Sequence, residues 1–329
     1  MKRLLTFAFA ALALAGCANT KESTVPATST VQAAEKPQPP AISVIPPTYA
    51  TPASHRGTVE TFTYRTNGTE KTAFAYLPYG YEASGERYNI LYFMHGGGGT
   101  AGQFWEESYG GGYVLNNILD HAIENGDIKP LIVVTPTFYP AGDRDTSVSN
   151  AGEQVKKFPA EFENDLMPAA ESRYRTYAQS TDKAGLRASR KHRAFGGFSM
   201  GSVTTWHEFA SALDYVAYFM PLSGDSWQFG NQGGKSKPKE TASYLAGIAK
   251  KAQASGNRFY IYVATGSEDI AFDALDAQIN AMRNESAFTF SPSPKDGNIT
   301  FQVYDGGRHV YQSYRNYIIS GLRTFFEES

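Results

Sequence analysis

From Thr58 onward the chain alternates short apolar runs with longer stretches in which apolar residues return every three or four positions. Parallel strands joined by crossover helices produce that alternation, because a strand buried on both faces reads as an unbroken apolar run and a helix shows the core a single stripe. Asn89–Met94, Leu131–Thr135, Arg193–Phe195, Val216–Met220, Phe259–Val263 and Thr300–Tyr304 are the predicted core strands. Helices are predicted over Gly112–Glu124, Ala160–Tyr174, Ser202–Leu213, Lys239–Gln253 and Phe272–Arg283. Ahead of these, Thr58–Thr66 and Lys71–Leu77 alternate apolar and polar residues around Asn67-Gly68, which predicts an antiparallel hairpin. The expected fold class is α/β, a mostly parallel sheet with helices on both faces. In such a sheet ligands gather beyond the carboxyl ends of the strands, so the residues that follow each run carry the most information.

The first seventeen residues follow another pattern. Lys2 and Arg3 precede an apolar run, Leu4–Leu14, and Leu14-Ala15-Gly16-Cys17 follows at once. The run is too short to cross a bilayer as a helix and reads as a signal. It resembles a bacterial lipoprotein signal, whose cysteine receives lipid and becomes the mature N-terminus. That resemblance implies acylation of Cys17, a membrane partner reached through the lipid, and a lipid-anchored place in the bacterial cell envelope, on the periplasmic or cell-surface face. Cys17 is the only cysteine, so intrachain disulfides are excluded. Residues 18–54 are rich in Pro, Thr and Ala and poor in large apolar residues, which predicts a disordered tether. Residues 55–329 are expected to form one folded domain.

Composition narrows the function classes. Thirty Lys plus Arg against 32 Asp plus Glu leave a formal charge of -2, too little to gather nucleic acid. With 21 Tyr and 21 Phe the chain has aromatic rings to spare for a cleft that takes sugars or phenols.

The chemistry lies after the strands. Gly196-Gly197-Phe198-Ser199-Met200-Gly201 follows the Arg193 run and precedes a helical pattern. This is Gly-x-Ser-x-Gly in the strand-turn-helix setting of a nucleophile elbow, where a tight turn lifts the serine hydroxyl clear of the sheet. Ser199 is the candidate nucleophile. His95-Gly96-Gly97-Gly98-Gly99 follows the Asn89 run and reads as an oxyanion loop. The Met200 and Gly97 amides are the candidate donors, although spacing does not fix which glycine amide turns inward; His95 reads as a loop-ordering residue. Asp305-Gly306-Gly307-Arg308-His309 follows the last run, and His309 is the candidate base. Asp269, after the penultimate run, is the candidate acid, with Asp225, Glu268, Asp273 and Asp276 as alternatives. No His, Cys, Asp or Glu set has metal-ligand spacing, and acyl transfer by such residues requires no cofactor.

Together these segments look like an α/β-hydrolase of a particular kind. Phe93–Gly98, Leu131–Thr137, Phe195–Gly201, Asp214–Asp225 and Ala264–Ala271 resemble the feruloyl esterase modules attached to bacterial xylanases, in the first carbohydrate esterase family. The resemblance runs from about residue 57 to the end. It implies a serine esterase releasing hydroxycinnamic acids from feruloylated plant cell-wall polysaccharide, with its triad on Ser199, Asp269 and His309. It also places Asp225 and Trp227 near the acyl pocket, while a packed core ring is the other role open to Trp227. Two departures stand out: Ser202, where the family often has a second glycine, and Val310-Tyr311, where a tryptophan pair is expected after the histidine. Acetyl-xylan or another carbohydrate ester is the neighbouring substrate class, and an inactive glycan-binding lipoprotein is the alternative outside enzymes.

Overall fold

The computed structural model describes residues 42–326 apart from 144 and 146. Cys17 and most of the expected tether lie outside them. The eight strands are β1 (Thr58–Thr66), β2 (Thr69–Leu77), β3 (Asn89–Met94), β4 (Leu131–Thr135), β5 (Arg193–Phe198), β6 (Tyr218–Leu222), β7 (Tyr260–Gly266) and β8 (Ile299–Tyr304). They form one sheet in the order β1-β2-β4-β3-β5-β6-β7-β8. The hairpin β1–β2 and the β2–β4 pair are antiparallel, and every pair from β4 to β8 is parallel. Asn67 and Gly68 both take positive φ, 48° and 78°, as a tight two-residue hairpin turn requires.

The helices are α1 (Tyr81–Ser84), α2 (Leu115–Glu124), α3 (Val148–Glu161), α4 (Met167–Arg173), α5 (Lys183–Ala188), α6 (Met200–Ser211), α7 (Gly233–Ser236), α8 (Pro238–Ala254), α9 (Phe272–Met282) and α10 (Tyr311–Leu322). Strand side chains alternate between two cores. On β3, Ile90, Tyr92 and Met94 face the layer of α3, α6, α8 and α9, while Leu91 and Phe93 face the layer of α2 and α10. This is the expected α/β-hydrolase architecture.

Two expectations change and one helix, α10, was not expected. The helix expected over Ala160–Tyr174 begins twelve residues earlier, at Val148: Ser147 caps it by accepting the Asn150 N–H, and Pro159 lies inside the helix rather than opening it. A π-helical turn, Phe162–Leu166, then joins α3 to α4. The helix α10 shows no clear stripe in sequence because nine of its twelve residues are buried. Finally, residues 42–54 do not continue the tether. Ile42, Ile45 and Tyr49 are buried in the α2–α10 layer, and the Ile45 N–H donates to Asn316 Oδ1 at 3.0 Å. Prolines between those apolar residues break any period, so what holds the segment is the surface it meets.

Topology sets the site. From β3 the chain crosses to β4 on one side, and from β5 it crosses to β6 on the other. Neighbouring strands that send their chains apart open a crevice at their carboxyl ends. The His95–Gly99 loop and the Ser199 turn leave from the two lips of that crevice.

Candidate active site

The Ser199 turn is packed backbone against backbone. A Cβ on Gly197 would stand 2.6 Å from Gly201 backbone atoms, and one on Gly201 would stand 2.2 Å from the Met94 carbonyl oxygen. Only glycines let β5, the start of α6 and the end of β3 come this close. Ser199 takes φ 59° and ψ -116°, a conformation costing about 1–3 kcal/mol for a residue with a side chain. Its N–H is held on the Leu222 carbonyl at 2.9 Å, which helps to fix the strained turn.

Met200 opens α6, so its amide has no helical carbonyl to donate to. The glycine loop supplies a second amide by a chain of hydrogen bonds. His95 is fully buried, with Nδ1 2.7 Å from the Gly96 carbonyl and Nε2 2.7 Å from the Thr137 hydroxyl. A carbonyl can only accept, so Nδ1 carries the proton and Nε2 accepts from Thr137. Burial lowers the His95 pKa to about 4, which keeps this neutral arrangement at ordinary pH. Gly96 O is thereby turned toward His95, and it also accepts the Gly99 N–H. A trans peptide places the Gly97 N–H opposite the Gly96 carbonyl, so Gly97 is directed away from His95. The Gly98 N–H is already given to the Tyr139 hydroxyl at 3.0 Å. The Gly98 and Gly99 amides are thus engaged within the loop, and Gly97, turned from His95, stays the candidate donor. Thr137, although inside the Leu131–Thr137 segment, and Tyr139 are given no role by the sequence, yet both follow β4 at the informative edge of the sheet. Thr137→Val is expected to lower kcat about tenfold with KM changed less than about twofold, because a misaimed donor weakens transition-state contacts chiefly. Steady-state kinetics check this.

The loops after β7 and β8 are joined to each other. Ser267 N–H donates to Tyr304 O, Glu268 N–H to Gly307 O and Gly306 N–H to Ser267 Oγ, and a Cβ on Gly266 would meet Gly307 O at 2.0 Å. Locked together, they present Asp269 and His309 side by side. His309 Nδ1 lies 2.7 Å from Asp269 Oδ1, and His309 Nε2 lies 2.9 Å from Ser199 Oγ. Asp269 Oδ1 also accepts the Ala271 N–H at 2.8 Å, which orients the carboxylate. The other acid candidates are engaged elsewhere. Glu268 pairs with Arg308 and Asp273 with Lys235 at the surface, and Asp276 accepts from Asn280. Asp225 is buried, its carboxyl accepting from Trp227 Nε1 at 3.1 Å and Gly234 N–H at 2.8 Å, and burial raises its pKa.

Trp227 packs on the α3 core at Gly152, where a Cβ would stand 3.3 Å from the indole, and it also lines the cleft that Ser199 lines. That cleft encloses about 990 Å³, and Met200, Val203, Trp227, Ala274, Phe198, Tyr113 and Tyr311 are among the residues that line it.

No family model matches the chain. It is 41% identical over 285 residues to endo-1,4-beta-xylanase Y of Acetivibrio thermocellus, which covers 86% of this chain and 24% of the relative. It is 28% identical over 172 residues to an endo-1,4-beta-xylanase/feruloyl esterase of Xylanibacter ruminicola, covering 51% of this chain and 21% of that protein. The chain thus spans less than a quarter of the length of these curated relatives. A solved feruloyl esterase module from Clostridium thermocellum, a serine-to-alanine mutant complexed with sinapinate, is 39% identical, with a TM-score of 0.78 and coverage of 88% of this chain and 95% of that module. The chain belongs to the feruloyl esterase family.

The departures from this family's pattern now have a structural setting. Ser202 is buried, and its hydroxyl donates to the Gly224 carbonyl at 2.6 Å, alongside Trp206 Nε1 at 3.0 Å. It therefore ties the loop after β6 to the helix that carries the elbow. Val310 is 44% exposed at the rim, and Tyr311 stacks on Tyr113.

Proposed function

We propose that this chain is a serine carboxylic ester hydrolase that releases hydroxycinnamic acids from feruloylated arabinoxylan through an acyl-enzyme. The observation that carries this reading is the unbroken hydrogen-bonded chain Ser199–His309–Asp269, whose serine and histidine line a cleft that Trp227 also lines. In the proposed reaction His309 Nε2 removes the Ser199 proton as Oγ attacks the ester carbonyl. Asp269 holds the Nδ1–H tautomer and stabilises the imidazolium. The Met200 and Gly97 amides receive the oxyanion in a place where they need not reorganise. As the tetrahedral intermediate collapses, the bond to the alcohol oxygen breaks and His309 returns the proton to that oxygen. A water molecule then repeats the sequence on the acyl-enzyme and frees the acid and Ser199.

The choice of acyl group rests on the wall of the cleft. A hydroxycinnamoyl ring buries on the order of 150 Å² of largely apolar surface, up to about 4 kcal/mol that an acetyl group lacks. If half of it is expressed in the transition state, feruloyl esters are preferred over acetyl esters by about thirtyfold in kcat/KM. The preference should shrink in Trp227→Ala while fluorophosphonate still labels Ser199. Hydrolysis of methyl ferulate and of acetylated xylan, measured side by side, tests this, and acetyl esters cleaved as well as feruloyl esters would sink it.

The envelope location is part of the same reading, on the strength of the signal pattern ending at Cys17. Several acyl chains on one residue would hold the enzyme at the membrane, each buried methylene adding roughly 0.8 kcal/mol. Cys17→Ser is expected to release the protein from the membrane fraction or leave it unprocessed, and globomycin should block maturation of the wild type. Wild-type protein recovered from its native envelope without detergent would contradict the anchor.

A further inference from the structure

The cleft has two walls, and the proposed acyl group occupies one. Met200, Val203 and Trp227 belong to the core beneath α3, α6 and α8, whereas Phe198, Tyr311 and Tyr314 belong to the core on the opposite face of the sheet. Ser199 stands on the seam between these cores, at the carboxyl end of β5.

On the second wall Tyr113 stacks on Tyr311, with 4.5 Å between ring centroids and 11° between planes, and Tyr314 meets Tyr113 edge-on at 6.2 Å. Tyr311 is largely covered, but Tyr113 keeps 36% of its surface exposed and lines the cleft. The segment carrying it is firmly held. Tyr113 N–H donates to Trp105 O at 3.2 Å and Leu115 N–H to Phe104 O at 2.8 Å, while a Cβ on Gly111 would stand 2.3 Å from Gly102 O. Val114, the next residue, takes φ 47° and ψ 33°, a left-handed conformation that a β-branched side chain rarely adopts. Such strain persists only where surrounding contacts overrule it, and it collects at ligand clamps. One face of this phenol ring rests on the core tyrosines, and core packing does not account for the part held open to the cleft beside strained backbone.

The chemistry of cleavage indicates what lies against it. His309 Nε2 must reach the leaving oxygen, and the His309 ring packs on Phe198 at 4.5 Å, on this second wall. Val310 and Tyr311 follow His309 directly. With the acyl half proposed to lie along Trp227, the tyrosine wall beside His309 is left for the alcohol half of the ester.

Resting on the feruloyl esterase reading above, we propose that Tyr113, backed by Tyr311, is a specificity-determining subsite for the sugar ring of the leaving alcohol. The apolar C–H face of a glycosyl ring would lie on the electron-rich face of the phenol. Gln103 and Gln312, which also line the cleft, are placed to meet its hydroxyls. A methyl ester presents no ring to this wall.

The test compares kcat/KM on two esters of one acid, methyl ferulate and ferulate esterified to an arabinoxylan oligosaccharide. Tyr113→Ala is expected to lose about tenfold on the glycosyl ester and less than about twofold on the methyl ester. Tyr113→Phe, which keeps the ring, should retain both activities. Tyr113→Leu, which still covers Tyr311, should repeat the selective loss if the alanine variant folds poorly. Equal losses on both esters would overturn the subsite, as would a wild type that cleaves the two esters with equal efficiency. Cleavage of neither ester by the wild type would defeat the feruloyl esterase reading itself, so the two failures are distinguishable.

Discussion

Ser199→Ala and His309→Ala are each expected to lower kcat by about four to six powers of ten, with little further loss when both are replaced. The reason is that the two side chains act as one unit. Without His309 the Ser199 hydroxyl keeps its proton and is a poor nucleophile; without Ser199 the imidazole has no nucleophile to activate. Their 2.9 Å separation is short enough for direct proton transfer, so no intermediary can dilute the dependence of one on the other. What survives in either variant is the contribution of the Met200 and Gly97 amides and of binding. Turnover of methyl ferulate, followed by released acid, measures each variant, and a His309→Ala enzyme retaining a tenth of wild-type activity would remove His309 from the role of base.

Asp269→Asn should cost about four powers of ten. The carboxylate accepts the Nδ1–H of His309 at 2.7 Å, which leaves Nε2 bare and facing Ser199. An asparagine amide in the same place can donate to Nδ1, and it then favours the tautomer with its proton on Nε2, where it blocks acceptance from the serine. The geometry survives while the chemistry fails, so fluorophosphonate labelling should fall together with turnover although the fold is unchanged. Asp225→Asn and Asp273→Asn, tested beside it, are expected to have much smaller effects. Asp225 is turned toward Trp227 and Gly234, and Asp273 lies at the surface beside Lys235.

The site was more legible in the sequence than its supports. Ser199, Asp269 and His309 could be chosen because each follows an apolar run, and a parallel sheet delivers all such positions to one edge. The choice of Asp269 among neighbouring carboxylates was less determined, since it depends on how Gly266 and Gly307 bring two loops into contact. Sequence spacing likewise could not say which glycine amide faces inward. That depends on the orientation of the Gly96 carbonyl, set by a buried histidine and by Thr137, forty-two residues away along the chain. The elements missed have a common cause. The helix α10 is buried on most sides, α3 contains a proline, and residues 42–54 are held by a partner surface, so none shows a clean period of its own.

The proposed reaction passes through a feruloyl-enzyme on Ser199. Rapid acid quench of the wild type with 4-nitrophenyl ferulate, whose leaving group makes acylation fast, followed by mass spectrometry of the proteolysed protein, tests it most directly. Within the first turnover the peptide containing Ser199 is expected to gain the mass of one feruloyl group, and this adduct is expected to decay as ferulate appears. Ferulate released with Ser199 unmodified throughout, or an adduct found on any other residue, would contradict it.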